Sequence, residues 1–144
     1  MAIKIASKQQ RSERGQSLIE FAFLAPFLLV LIMGIVDFGW ALKSYITVTN
    51  SSREGARLGV TCVTNDEIKT RVVDHSSGLL EASDVTSVTN PCKTTGGQPG
   101  DPVVVKVEYD YTFITPLGGL LSTISWGSLP SQLHMTVTTK MRAE

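Results

Sequence analysis

The sequence has few of the residues from which active sites are usually built. Its two histidines, His75 and His134, are far apart, and no cluster of cysteines or carboxylates accompanies either at metal-ligand spacing. No serine lies in a G-x-S-x-G elbow, and the glycine-rich segment at residues 96–100 is not followed by the lysine and hydroxyl pair of a phosphate-binding loop. We therefore expect no enzymatic activity, no metal site and no cofactor.

Net charge is also missing, and one long segment carries no charge at all. Thirteen Lys and Arg residues offset thirteen Asp and Glu residues, which argues against a nucleic-acid partner because nucleic-acid-binding domains are usually basic.

Residues 21–36 are uncharged, and Asp37 is the first charged residue after them. A helix over residues 18–42 would be roughly 37 Å long, enough to cross a hydrocarbon core of about 30 Å. The segment is therefore predicted to be a transmembrane helix.

The residues before this segment predict its orientation. Because Lys and Arg concentrate on the cytoplasmic side of membrane helices, the N-terminus is expected in the cytoplasm and the part after about residue 45 is expected to be exported. A removed secretory signal is the alternative, but its apolar core would span only about 7–15 residues and end in a small-residue cleavage site. The longer run without such a site favours a retained helix in the inner membrane. The leader carries Lys4, Lys8, Arg11 and Arg14 against one acidic residue, Glu13.

Cysteine is scarce, and both cysteines fall on the exported side. An even count in an oxidising compartment indicates one disulfide, between Cys62 and Cys92. Two unpaired thiols are the alternative. A bond closing this loop would contribute roughly 3–4 kcal/mol in the chain-entropy model, which matters to a domain this small.

The exported part is predicted to be an extension of the long helix followed by a head that contains both helix and strands. The long helix is expected to continue past the membrane, with a stripe of mostly small residues on one face. A second helix is predicted to begin at Asn65 and to stop at Gly78, with Ile68, Val72 and Val73 on its buried face. The predicted stripe consists of Tyr45, Val48, Ser52, Ala56 and Gly59.

The remaining sequence predicts strands separated by loops. A short strand is expected at residues 85–89, followed by a loop at residues 90–102. Apolar residues alternate at 103–113 and again at 133–141, which predicts an antiparallel pair, with a helical turn near Leu120 between them. The fold class is therefore α+β: a transmembrane helix continuing into a head with a short helix and an antiparallel sheet. The expected parts are a basic leader at 1–15, the helix and its extension at 16–60, and the head at 61–144.

Two features of the long helix call for a partner. Glu20 lies at the start of the apolar run, where burying an ionised group in lipid is unfavourable unless it is paired. Gly55 lies within the predicted extension, where glycine costs up to about 1 kcal/mol relative to alanine. We expect a partner for Glu20 and a close packing contact at Gly55.

The stretch RGQSLIEFA at residues 14–22 resembles the processing region of type IV pilin-like proteins. In such proteins a membrane peptidase cuts after a glycine, and the fifth residue of the processed chain is glutamate. The resemblance implies a cut after Gly15, a new N-terminus at Gln16, and Glu20 as that glutamate.

Further blocks resemble the TadE-like family of tight-adherence (Flp-type) pilus proteins. Pro26 lies within the apolar run, Asp37 lies in the GIVDFG block at residues 34–39, and the REGAR block follows at residues 53–57. The strand VKVEY at residues 105–109, the Pro116-Leu117 pair and the closing strand match the family's tail pattern. The REGAR residues singled out as a helix-packing motif are Arg53, Glu54, Gly55 and Arg57.

This resemblance implies a minor pseudopilin that acts in assembling or initiating a tight-adherence pilus. Its implied partners are a prepilin peptidase, other minor pseudopilins, the major pilin and the inner-membrane assembly platform. Glu20 would pair with the new α-amine of a neighbouring subunit. An uncleaved, single-pass anchor that carries an extracytoplasmic binding module is the alternative. The resemblance leaves open whether the protein enters the extracellular pilus.

Overall fold

One helix dominates the protein. The computed structural model describes residues 9–93, 100–124 and 132–142. Two single 3₁₀ turns, Ala82–Asp84 and Pro91–Lys93, lie between the longer elements. In chain order those elements are α1 (Gln9–Gly59), α2 (Asn65–His75), β1 (Ser87–Thr89), β2 (Pro102–Thr112), α3 (Leu117–Ile124) and β3 (Gln132–Arg142).

Helix α1 divides into a bare half and a packed half. Its 51 residues correspond to about 76 Å at 1.5 Å per residue. The large apolar side chains between Leu18 and Ile32 are exposed, whereas buried residues begin at Asp37 and recur up to Gly59. The described residues of the head therefore pack against the second half of α1 and leave the first half exposed.

The sheet is antiparallel, and β2 is its central strand. The strand order is β1-β2-β3, with Val88 paired to Val105 and Val107 paired to Val137. Alternate residues of β2 face α1, as the period-two pattern predicted. Val103, Val105 and Val107 are fully or almost fully buried. The apolar face of the sheet thus packs against the second half of α1.

The buried stripe on α1 differs from the predicted one at its start. Val48, Ser52, Ala56 and Gly59 are buried as expected, but Tyr45 is 47% exposed. The prediction for Tyr45 was wrong because the buried face of α1 passes through the preceding position, so the head covers Ser44. Seven residues before Ser44, two helical turns, the same face presents Asp37.

Helix α2 forms where predicted, but a different residue caps it. Thr64, rather than Asn65, is the N-cap: its hydroxyl accepts from the Glu67 amide, while the Glu67 carboxylate accepts from the Thr64 amide at 2.8 Å. This reciprocal pair is a capping box. The helix ends at His75, before Gly78, and Ile68 and Val72 are fully buried.

Two local predictions need adjustment in length. The strand expected at residues 85–89 is shorter, Ser87–Thr89, because Ala82–Asp84 form a 3₁₀ turn and Val85 turns into the core. The helical turn expected near Leu120 is the eight-residue helix α3. The overall class is confirmed: a long apolar helix, a short helix and a three-stranded antiparallel sheet.

Candidate functional site: the long helix and its attachment to the head

The first half of α1 carries the residues singled out for processing and docking. Gly15, Gln16 and Glu20 all lie within the helix, and each is exposed. Within the described parts of the chain, no side chain forms an ion pair with Glu20. Buried positions on α1 begin at Asp37, which is 17 residues and about 26 Å beyond Glu20 along the helix. The described residues of the head therefore do not pair with the Glu20 carboxylate.

Pro26 lies in the same bare half. Helix α1 runs through it without a break in its assignment, although proline removes one backbone hydrogen bond. Because proline in a helix interior usually causes a kink, we expect one at Pro26. The uninterrupted helix keeps the whole apolar segment in one piece from Gly15 onward.

Asp37 fastens the head to the helix. Its side chain is buried and accepts from the backbone amides of Ile114 at 2.9 Å and Thr115 at 3.1 Å. The Thr115 hydroxyl donates to the other carboxylate oxygen. These three donors belong to the connection between β2 and α3, so Asp37 is a latch for that connection.

Tyr111 completes the latch from the end of β2. Its hydroxyl donates to the backbone carbonyl of Asp37 at 3.2 Å. Burial raises the pKa of the Tyr111 hydroxyl, and the neighbouring Asp37 charge raises this pKa further. The hydroxyl therefore stays a neutral donor at physiological pH. Leu117 adds an apolar contact: its Cδ1 lies 4.0 Å from where a Cβ on Gly34 would stand.

Glycine allows α2 and β2 to approach α1 closely. A Cβ added to Gly55 would lie 2.3 Å from Val72 Cγ2, and one added to Gly59 would lie 2.6 Å from Val103 Cγ1. Both separations are far below van der Waals contact, so neither position has room for a side chain. The expected packing role of Gly55 is thus visible in the α1–α2 crossing.

The charged residues of the REGAR block have different surroundings. Glu54 binds Arg57 through two hydrogen bonds, at 2.8 and 3.0 Å, in the expected i,i+3 arrangement. The same carboxylate also accepts from Arg71 of α2 at 3.0 Å. Arg53 is exposed. Glu54 therefore links the two helices, whereas Arg53 and Arg57 lie on the surface.

A disulfide ties the end of α1 to the loop before β2. Cys62 and Cys92 are bonded, and Cys62 adopts the left-handed conformation (φ 60°) that turns the chain away from the helix. The buried Asn90 holds both flanks: its amide donates to the Val63 carbonyl at 2.8 Å, and its oxygen accepts from the Cys92 amide at 3.2 Å. The 30-residue separation corresponds to about 3.5 kcal/mol of chain entropy.

Sequence reasoning missed three of these contacts. It did not identify the Asp37 latch, the Glu54–Arg71 bridge or the Asn90 clamp, since each partner is distant in sequence. Only Asp37 gave a signal. It lies eleven residues, about three helical turns, before Val48 of the predicted stripe, which places it on the same face of the helix.

The Gly55 contact leads to a stability prediction. Gly55→Ala is expected to destabilise the head by about 1–3 kcal/mol, as overpacking usually does, because the stiff Val72 side chain must move. This exceeds the gain in helix propensity, at most about 1 kcal/mol. Thermal unfolding in detergent would measure the loss as a lower melting temperature.

Gly39→Ala is the matched control on the same helix. A Cβ at Gly39 meets nothing within 4 Å, so only the propensity effect remains and the melting temperature should stay level or rise. Equal melting temperatures for the two variants would contradict the close-crossing interpretation.

These features define a class of protein: a single apolar helix that projects from a small disulfide-bonded head latched to its second half. Among the described residues, α1 is one helix long and apolar enough to cross a membrane, and it lies near the N-terminus. This arrangement supports membrane anchoring.

One comparison finds a similarity to a known family. A family model described as TadE-like protein matches residues 15–57, which confirms the resemblance across the apolar helix and the REGAR block. No curated protein and no solved structure matches the chain.

Proposed function

We propose that this protein is a minor pseudopilin-like component that acts in assembling or initiating a tight-adherence pilus. The observation that carries this proposal is the bare first half of α1. Among the described residues, buried positions on α1 begin at Asp37, while the family match begins at Gly15. An exposed apolar helix fastened to a folded head is the form of subunit that such assemblies use.

The exposed apolar surface requires cover in every state of the protein. Phe23, Phe27 and their neighbours are largely exposed, and a surface of this extent is unstable in water. Lipid supplies the cover while the subunit is stored in the membrane. The helices of neighbouring subunits supply it after assembly. The same segment therefore serves first as an anchor and then as a packing surface.

Glu20 gives this packing a register. Cleavage after Gly15 would create an α-amine at Gln16, which is largely cationic near neutral pH. A carboxylate at the edge of lipid is costly when it is unpaired, and it gains from an opposite charge on a neighbouring subunit. Because no described residue of the head forms an ion pair with Glu20, its carboxylate is available to such a partner.

The proposal also assigns a location and partners. The basic leader would lie in the cytoplasm, α1 in the inner membrane and the head outside, where an oxidising environment suits the Cys62–Cys92 bond. A prepilin peptidase would process the chain. Other minor pseudopilins, the major pilin and the assembly platform would then be its partners in the membrane.

The intact mass and N-terminal sequence of the protein from native membranes test this proposal. We expect a mature chain that begins at Gln16. A host without the prepilin peptidase should yield the full-length chain, which is the control. A chain that keeps its leader while the peptidase is active would contradict the proposal and favour an uncleaved anchor that carries a binding module.

A further inference from the structure

We propose that the base of the head contacts the membrane directly, through an apolar patch formed by Ile114, Leu120 and Leu133. The partner is the lipid surface of the leaflet on the head's side of the membrane. The protein would then contact the membrane at two sites, helix α1 and this basal patch.

The exposed apolar residues of the head are concentrated at one end. Within the described residues after α1, the large apolar side chains that are well exposed are Ile114 at 60%, Leu120 at 43% and Leu133 at 47%. Ile114 lies beside Asp37 in the latch, Leu120 lies on α3, and Leu133 pairs with Tyr111 across the sheet. All three therefore lie close to the latch on α1.

The latch lies at the level where α1 should leave the hydrocarbon. Residues 18–37 of a helix cover about 30 Å, the thickness of a typical hydrocarbon core. The latch binds Asp37, and Leu117 lies near Gly34, within this length. The connection between β2 and α3 is thus held against α1 at the membrane boundary. The basal patch continues the apolar surface of α1.

The described residues around the basal patch carry no charge. Between Asp110 and His134 the chain carries no Asp, Glu, Lys, Arg or His. Asp110 Oδ1 and His134 Nδ1 lie 2.6 Å apart, and the ionisable side chains of the sheet begin with that pair. Charged groups are costly near the hydrocarbon, so the absence of charge from residues 111–124 and 132–133 fits a lipid-facing position.

Residues suited to the headgroup region lie just beyond the latch. The Lys43 ammonium lies 4.2 Å from the centre of the Trp40 ring, and Trp and Lys are typical of membrane interfaces. An open groove of about 490 Å³ lies between α1 and β2, and Lys43 is the charged residue among those that line it. The order along α1 is therefore apolar patch, then aromatic and cationic groups, then polar head.

Methyl spectroscopy of the full chain, with one copy in each lipid nanodisc, tests the proposal. A lipid that carries a spin label near the top of its acyl chain should broaden the methyl signals of Ile114 and Leu120 as strongly as those of Ile35. A water-soluble gadolinium chelate should broaden them several-fold less than those of Ile46. Ile46 is the matched control, since it is 50% exposed but lies about 14 Å beyond Asp37 along the helix.

A double variant gives an independent reading. In Ile114→Ser with Leu120→Ser, the Leu133 methyls should lose broadening by the lipid label and gain broadening by the chelate. Ile46→Ser should leave Leu133 unchanged. Because the replaced side chains are exposed, the buried Val105 methyl shifts should report an intact fold in both variants.

Two outcomes would overturn the proposal. Ile114 and Leu120 would behave like Ile46 if the base of the head stood in water. They would be shielded from both agents if protein covered the patch. Neither result depends on whether the chain is processed after Gly15 or enters a pilus.

Discussion

Replacing Asp37 with leucine is expected to release the connection between β2 and α3 from the long helix. The side chain accepts three hydrogen bonds, from the Ile114 amide, the Thr115 amide and the Thr115 hydroxyl. Hydrogen bonds to a charged group contribute about 1.5–3 kcal/mol each, and a buried donor left unpaired adds a further penalty. Allowing for the coupling between neighbouring bonds, we expect a loss of about 4 kcal/mol or more.

Amide hydrogen exchange measures this release at the atoms concerned. In Asp37→Leu the amides of Ile114 and Thr115 should exchange about a thousandfold faster, since each 1.4 kcal/mol is a factor of ten. The amide of Val105, in the centre of the sheet, should change far less, because the latch can open without unfolding the core.

Asp37→Asn is the matched variant. The amide oxygen of asparagine still accepts from both backbone donors, and its NH₂ group can donate to the Thr115 hydroxyl oxygen. Exchange at Ile114 and Thr115 should therefore rise only modestly. Equal exchange in the Leu variant and the unmodified protein would show that Asp37 does not hold the connection.

The fold was predictable from sequence where the pattern is local. Alternation over residues 103–113 and 133–141 predicted β2 and β3 because the side chains of a strand point to opposite faces. The uncharged run predicted the bare half of α1 through its length alone. The N-cap of α2 lies one residue earlier than predicted, since several polar residues there compete for the same role. The short strand begins two residues later than predicted.

The attachment of the head to the helix was less predictable because its partners come together only in the fold. Asp37 interrupts an apolar run, and in sequence it reads as a membrane charge or a family motif. Its donors lie 77 and 78 residues further along the chain. Asn90 likewise reads as an ordinary loop residue, although it clamps both cysteine flanks. Gly55 was the exception, because glycine within a helix is itself a local sign of close packing.

The role assigned to Glu20 is the largest functional effect we predict. In Glu20→Gln the protein should reach the membrane at its normal level, because removing a charge makes the helix easier to insert. The head should melt as before, since the buried positions on α1 begin at Asp37, about 26 Å further along the helix. Pilus formation in the native host should nevertheless be abolished.

The physical reason is that the docking signal is a charge, and glutamine has nearly the same shape without it. A neutral amide cannot offset the α-amine of a neighbouring subunit, so the subunits lose the attraction that sets their register.

Glu20→Asp keeps the charge on a shorter side chain and should restore part of the piliation. Counting pili by electron microscopy, together with membrane levels by immunoblot, separates a docking defect from a defect in insertion. Normal piliation by Glu20→Gln would refute the docking role. The comparison covers the unmodified protein, Glu20→Asp and Glu20→Gln. If only Glu20→Gln lacks pili, while all three proteins are present in the membrane and equally stable, the carboxylate acts in assembly and not in folding.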